Sequence, residues 1–341
     1  MKIAVIGASG YAGAELVKIL INHPQVDDLA LLVSEHSESQ NQPFSQLYPQ
    51  MHGICDIPLQ AFNIAWLNAN QSEIDAVFFA TPHEYSAQWA QPFIDADIKV
   101  FDLSGAFRLK DVDDYPQHYD FTHQYPQLLA EAVYGLAEFN AQAIAASNII
   151  AVPGCYPTAS LLAIKPMADA DLLDDNSITV INGISGVSGA GRKASLATSF
   201  NELSLKAYNV LQHRHQPEIS QQAGCSVIFN PHIAPFKRGL LATVTMRLKQ
   251  GITTDDINAL YQQYYQHQPL VRLMPSWPQV DDVANTPFAN LHWQYDAKLQ
   301  VLVASCAIDN LLKGAAAQAV QCFNIRYGFA PTQALVGGNH G

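Results

Sequence analysis

Positive charge is what this sequence has least of: 18 Lys and Arg stand against 30 Asp and Glu, a net charge of −12 over 341 residues. A polynucleotide partner needs Lys and Arg gathered into a patch, and here they are scattered. A nucleic-acid binder is therefore excluded, and an anionic ligand has to be held by a few local groups. Cysteine is sparse as well. The five, Cys55, Cys155, Cys225, Cys306 and Cys322, are odd in number, far apart and without a C-x-x-C pair. That pattern excludes a disulfide framework and a zinc ribbon and fits a reducing, cytoplasmic setting. No run reaches the ~18 uncharged apolar residues of a membrane helix, so no membrane association is expected. The apolar N-terminal stretch is broken by Gly7, Gly10, Gly13 and Glu15, unlike a secretory leader. No repeat is present, and the Gln/Asn/Ser-rich stretch from Ser37 to Ser45 reads as a loop.

What is present has the texture of an α/β chain. Its length outgrows a single hydrophobic core, so two domains are expected. Near-continuous apolar runs at Lys2 to Ile6, Leu29 to Val33, Ala76 to Ala80, Lys99 to Leu103 and Asn148 to Val152 alternate with helical patterns. Runs of that kind are strands buried on both faces, which predicts a Rossmann-like parallel sheet domain. Beyond Cys155 the strands lengthen (Ile178 to Ile184, Leu240 to Leu248, Leu299 to Ser305) and helices thin out. This predicts an α+β catalytic domain with a largely antiparallel sheet. A last helix, Lys313 to Tyr327 with Gly328 as its stop, is expected to return to the first domain. The expected division is 1–154 plus 310–341 for the dinucleotide domain and 155–309 for the catalytic one.

Four segments carry chemistry. Gly7-Ala8-Ser9-Gly10-Tyr11-Ala12-Gly13 turns the first strand into the first helix. Glycine there lets the backbone approach a pyrophosphate seated on helix amides, so Gly7, Ser9, Gly10, Tyr11 and Gly13 are candidate cofactor ligands. The alternative is a turn needed only for tight strand–helix packing. Ser34, followed by Glu35, stands at the end of the second strand. Serine can bond a 2′-phosphate, which tips the reading toward NADP. Pro153-Gly154-Cys155-Tyr156-Pro157-Thr158 places a cysteine between a strand and a helix start, where helix amides lower a thiol's pKa from about 8.5 and make it a nucleophile. A small buried cysteine closing a turn is the competing reading.

Gln212 to Ile219 packs His213, Arg214, His215 and Glu218 together, a general base, a cation and an orienting carboxylate. A zinc site on His213 and His215 lacks further ligands, so no metal is expected. Gly183 to Arg192 ends a strand in a serine- and glycine-rich loop, in which Ser185, Gly186, Ser188 and Gly189 can bind the nicotinamide side or an anion. Arg192 beside it, Arg214, and Ser104 with Arg108 after the Lys99 strand are candidates for substrate phosphate or carboxylate.

Taken together, these motifs resemble the N-acetyl-γ-glutamyl-phosphate reductase family, relatives of aspartate-semialdehyde dehydrogenase, over nearly the whole chain. The resemblance rests on Gly7 to Gly13, Pro153 to Thr158, Ser185 to Arg192, His213 to Ile219 and Asp309 to Ala316. It departs at Gly105-Ala106, where many members carry Ala-Asp, and at Ala137 before Glu138, where proline is common. The resemblance implies NADPH-dependent reduction of an acyl phosphate through a thioester on Cys155. It also implies His215 or His213 as the acid/base, Asn310 at the nicotinamide end, and a homo-oligomer, dimer or tetramer, assembled through the catalytic domain. Rival readings are a sister aldehyde dehydrogenase with the same thiol chemistry and a nicotinamide-sensing protein with a dead site.

Overall fold

The computed structural model describes residues 1–337, which divide into two compact units, Met1–Pro153 with Ala315 onward, and Gly154–Gly314. In the first unit β1 (Lys2–Ile6), α1 (Tyr11–Leu20), β2 (Asp28–Val33), α2 (Phe44–Leu47), β3 (Gln60–Ala61), α3 (Ile64–Asn70), β4 (Ala76–Phe79) and α4 (His83–Asp95) follow in turn. Then come β5 (Lys99–Asp102), α5 (Asp114–Tyr119), α6 (Pro126–Glu131), β6 (Val133–Tyr134), α7 (Ala137–Ala146) and β7 (Ile149–Ala151). The seven strands form a parallel sheet in the order β3-β2-β1-β4-β5-β7-β6.

Alternation along β4 explains why both faces are covered. Val77 and Phe79 pack with Phe62 and Phe93 on one side, and Phe78 stacks on Phe101 at 4.9 Å on the other. The order reverses between β1 and β4, and in such sheets ligands bind beyond the carboxyl ends of the strands at that reversal. Gly7, Ser34, Thr81, Ser104 and Val152 all follow carboxyl ends of this sheet.

The second unit runs α8 (Cys155–Asp169), β8 (Thr179–Gly186), β9 (Lys206–Ala207), α9 (His215–Ala223), β10 (Val227–Ala234), β11 (Leu240–Arg247), α10 (Thr254–Tyr265), β12 (Val271–Leu273), β13 (Ala289–Asp296) and β14 (Val301–Ile308). Its sheet has the order β12-β13-β14-β11-β8-β10-β9 and is mixed, with β8–β10 and β12–β13 parallel and the other pairs antiparallel. Here burial alternates. Ile181, Phe229, Ala242, Val244, Met246, Leu302 and Ala304 are fully buried on the face that α8 covers. The residues between them, such as Val180, Ile184, Leu241 and Thr243, are half-buried, and Asn182 is exposed.

Two expected elements shift. The strand expected at Leu299 to Ser305 runs instead from Val301 to Ile308, because Asp296 accepts from the amides of Lys298 and Leu299 and closes a turn there. The helix expected from Lys313 begins as a π turn, Leu312–Ala316, and becomes α11 only at Ala317–Arg326. Asp309 is the cause: its carboxylate takes the amides of Leu311 and Leu312, and its carbonyl takes that of Gly314, widening the first turn. α11 packs in the first unit, where Asn324 bonds His23 at 2.8 Å and Gln321 bonds Glu138 at 3.0 Å.

Candidate active site

In the first unit the glycine turn is forced by lack of room. A Cβ on Gly7, whose φ is +87°, would fall 2.3 Å from the Ala80 carbonyl oxygen, and one on Gly13 would fall 2.2 Å from the Gly7 oxygen. Gly10 is the N-cap of α1, which has no side-chain cap and no acidic residue in its first turn. The first amides of a helix have no intrahelical acceptor, and their partial positive charge suits an anion. The Gly7 and Ala8 amides are spent on the Leu32 carbonyl and that of Gly10 on Gly7, so what the turn offers a phosphate is the end of α1 itself. Ser9 and the exposed Tyr11 flank that end. This arrangement fits a dinucleotide pyrophosphate. Tyr48, which the sequence did not single out, donates to the carbonyls of Ser9 and Gly10 at 3.0 and 3.2 Å.

Ser34 is exposed just after β2, and the neighbouring Glu35 carboxylate is turned to the Asn63 amide at 2.8 Å. Ser104 and Arg108 are more deeply committed to the backbone than their expected role needs. The Ser104 hydroxyl donates to the Asp102 carboxylate at 2.9 Å and accepts from the Ala106 amide at 3.1 Å. Asp102 is fully buried, which pushes its carboxyl up, against the pull of the Ser104 hydroxyl and amide. Arg108 is buried too, with Nε donating to the Val152 carbonyl at 2.9 Å and Nη2 to that of Leu103 at 2.7 Å. In this geometry Arg108 ties the ends of β5 and β7 together, which differs from an arginine held open for a ligand.

The second unit gathers the candidate nucleophile and the imidazoles. Cys155 is the first residue of α8, Gly154 is its N-cap, and Pro157 falls in the first turn where a missing N–H costs nothing. No side chain of α8 itself caps that end. Instead the buried carboxylate of Glu218 on α9 accepts from the Gly154 amide at 3.0 Å. His215 opens α9 one turn before Glu218, and His215, Glu218 and Ile219 are all buried. Residues three and four apart share a helix face, so the face that carries His215 is the one turned to the start of α8. Consistent with this, the ring of Tyr156, next to Cys155, lies 6.0 Å from that of His215.

His213 has a different environment. Its Nδ1 accepts from the His215 amide at 3.1 Å, and its ring stands edge-on to Tyr156, Tyr208 and Phe229. Burial, helped by the Arg214 charge, lowers its pKa to about 4. A neutral imidazole with Nδ1 already accepting keeps its proton on Nε2. His213 in this state presents its Nε2–H as a donor. Gly314, from the C-terminal signature, has no room for a side chain: its Cβ would sit 2.7 Å from the Cβ of Cys155.

The serine-glycine loop is held from beneath. The amides of Gly186, Val187 and Ser188 bond the carbonyls of Gly239, Phe236 and Lys237. Ser185 Oγ donates to the Gly186 carbonyl at 3.1 Å. A Cβ on Gly189 would meet Ser185 Oγ at 3.3 Å. Asn310 is buried and locks this loop: Oδ1 accepts from the Gly239 amide at 2.7 Å and Nδ2 donates to Ser188 Oγ at 3.0 Å. Arg192 and Arg214 are exposed, the latter at the N-cap of α9. Among the described residues no group of three or more His, Cys, Asp or Glu is placed to hold a metal.

Fold and side chains of this kind place the chain in a class of known proteins. The family described as "Semialdehyde dehydrogenase, NAD binding domain" matches residues 2–147, and that described as "Semialdehyde dehydrogenase, dimerisation domain" matches residues 155–310. The fold is also that of an aspartate semialdehyde dehydrogenase II from Vibrio cholerae (TM-score 0.72, 20% identity, 96% of this chain and 98% of that one). Within that class, a Tolumonas auensis protein is 51% identical over 98% of this chain and its own full length. A Moritella profunda protein is 49% identical over 98% of this chain and 100% of its own. Both relatives are named N-acetyl-gamma-glutamyl-phosphate reductase, and this chain belongs to that family.

Proposed function

We propose that the chain reduces N-acetyl-γ-glutamyl phosphate to the corresponding semialdehyde with NADPH, releasing phosphate, as a step of arginine biosynthesis. The observation that carries the mechanism is the start of α8, where Cys155 sits on uncapped helix amides and α9 delivers Glu218 and His215 to the same end. His215 takes the thiol proton, the sulfur bonds the γ-acyl carbon, and the carbon–oxygen bond to phosphate breaks, leaving a thioester. The nicotinamide cofactor, when bound, would supply the hydride that this carbon needs. His215 lends its proton to the oxygen that gains charge and recovers it as the carbon–sulfur bond breaks, freeing aldehyde and thiolate. His213 Nε2–H and the amides of α8 are suited to donate to developing negative charge.

For the cofactor, the α1 amides from Tyr11 onward with Ser9 would hold the pyrophosphate, Gly7, Gly10 and Gly13 would leave the backbone room to approach it, Ser34 would take the 2′-phosphate, and Asn310 would serve the nicotinamide end through the loop it locks. Arg192 and Arg214 are exposed, and their guanidinium charge suits the substrate's phosphate and carboxylate. Ser104 and Arg108 serve the site by fixing the turn after β5.

The molecule is further proposed to be a cytoplasmic homo-oligomer joined through the second unit. Among the described residues no helix is long and apolar enough to cross a membrane, and no cysteine is in a disulfide. The open face of the second sheet is patterned for a partner. In register across β10, β8, β11 and β14 runs a polar row, Asn230, Asn182, Thr243 and Ser305. Beside it lie Ile228, Val180, Thr245 and Val303, and on its other side Ile184 and Leu241.

The test is intact mass of the protein mixed with the acyl phosphate and no reductant. An acyl adduct on Cys155 supports the reading, and an unmodified Cys155 defeats the thioester. Turnover in reverse, with phosphate, NADP+ and either N-acetylglutamate semialdehyde or aspartate semialdehyde, decides the substrate.

A further inference from the structure

Tyr48 belongs to neither glycine turn nor strand, yet it is built to reach the turn. It follows α2, its amide bonds the Phe44 carbonyl at 3.0 Å, and its ring packs on that of Phe44 at 5.0 Å. Phe44 is itself fully buried, and its amide is tied to the Ile57 carbonyl at 2.9 Å, so the base of the tyrosine is rigid. From there the hydroxyl spans both the Ser9 and the Gly10 carbonyls.

In a trans peptide the carbonyl and the following N–H point in opposite directions. The Gly10 carbonyl accepts from the Ala14 amide at 2.8 Å as well as from Tyr48, so the Tyr11 amide points the other way, out of the start of α1, and the Ser9–Gly10 peptide is the one that Tyr48 has to hold. Holding the Ser9 carbonyl keeps the Gly10 amide on the Gly7 oxygen, the 3.0 Å bond that closes the turn. Glycine at position 10 makes this peptide easy to rotate, and a carbonyl turned toward a pyrophosphate would repel it. We infer that Tyr48 is a positioning residue for the cofactor turn, its hydroxyl holding the Ser9 and Gly10 carbonyls so that the amides of α1 face the pyrophosphate before any ligand arrives.

This rests on the proposed nicotinamide-dependent function, and the experiment separates the two. Tyr48→Phe keeps the ring on Phe44 and removes only the donor. By titration calorimetry its Kd for NADP+ is expected to rise about fivefold, the worth of one hydrogen bond. Its Kd for adenosine 2′-monophosphate, which carries no pyrophosphate, is expected to be unchanged. In the unliganded protein, amide hydrogen exchange at residues 9–12 is expected to quicken in Tyr48→Phe while exchange in β1 and β2 stays as in the wild type. Equal weakening of both ligands, or unchanged exchange at residues 9–12, overturns the inference. Wild-type protein that binds neither NADP+ nor NAD+ would remove the functional reading instead, while the exchange comparison still judges Tyr48.

Discussion

Two helices of this molecule start in the same way and end up with different chemistry. α1 and α8 each follow a parallel strand, each has glycine at the N-cap, and each lacks a side-chain cap of its own and an acidic residue in its first turn. At α1 the neighbouring groups occupy the carbonyls, Tyr48 those of Ser9 and Gly10, and the amides are left for a ligand. At α8 a carboxylate from another helix takes the Gly154 amide, and a cysteine occupies the first helical position. An unfilled helix start is therefore a general anion site, and what it does is decided by one or two side chains brought to it.

The largest effect expected from breaking the comparison is at sulfur. Cys155→Ala should abolish reduction while leaving NADP+ affinity within a few fold by calorimetry, because the two helix starts do separate tasks. A large loss of binding would deny that separation. His215→Asn should lower turnover by roughly 10²- to 10⁴-fold, the range of general acid–base catalysis, and His213→Asn by less; steady-state rates that reverse this order exchange the two roles. Gly13→Ala strikes α1 in turn. With a Cβ 2.2 Å from the Gly7 oxygen the turn must open, at a cost of about 1–3 kcal/mol by urea unfolding, and NADP+ binding should weaken while iodoacetamide still labels Cys155 at the wild-type rate.

Glu218→Ala leaves the buried Gly154 amide without its acceptor, which should cost about 1–3 kcal/mol and lower turnover. The smallest expected effect is a pH dependence. Burial depresses His213 to about 4 in the folded chain, whereas an unfolded histidine titrates near 6.5. Between those values the unfolded state binds more protons, so the contribution of His213 to stability is complete above about pH 6.5 and is lost as pH falls toward 4. Urea midpoints from pH 7 to 5 should fall less steeply in His213→Gln than in the wild type.

The parallel sheet was legible because its strands are buried on both faces and read as unbroken apolar runs, as in Ala76 to Phe79. The second sheet was harder to read for the opposite reason. β10 is interrupted by Asn230, Pro231 and His232, and half of β13, Ala-Asn-Leu-His-Trp-Gln-Tyr-Asp, is polar, so neither was anticipated. Cys155 and the two histidines stood out through local motifs. The roles proposed for the two histidines did not, since they rest on the His215 amide bonding His213 Nδ1 and on the i, i+3 relation of His215 to Glu218, both properties of the folded chain. Tyr48 left no sign because its partners are backbone carbonyls about forty residues away. The motif Asp102 to Arg108 was visible, but its residues turn out to brace one another.

On the proposed assembly, the half-covered face of the second sheet would carry a cost that appears only on dilution. A subunit that uses a twin to shield Val180, Ile184 and Leu241 would draw part of its stability from mass action, and its melting point would climb with protein concentration. In a cell making few copies, the unmatched chain is the form that chaperones and proteases meet first, and supply of the enzyme would then depend on how soon newly made chains find each other.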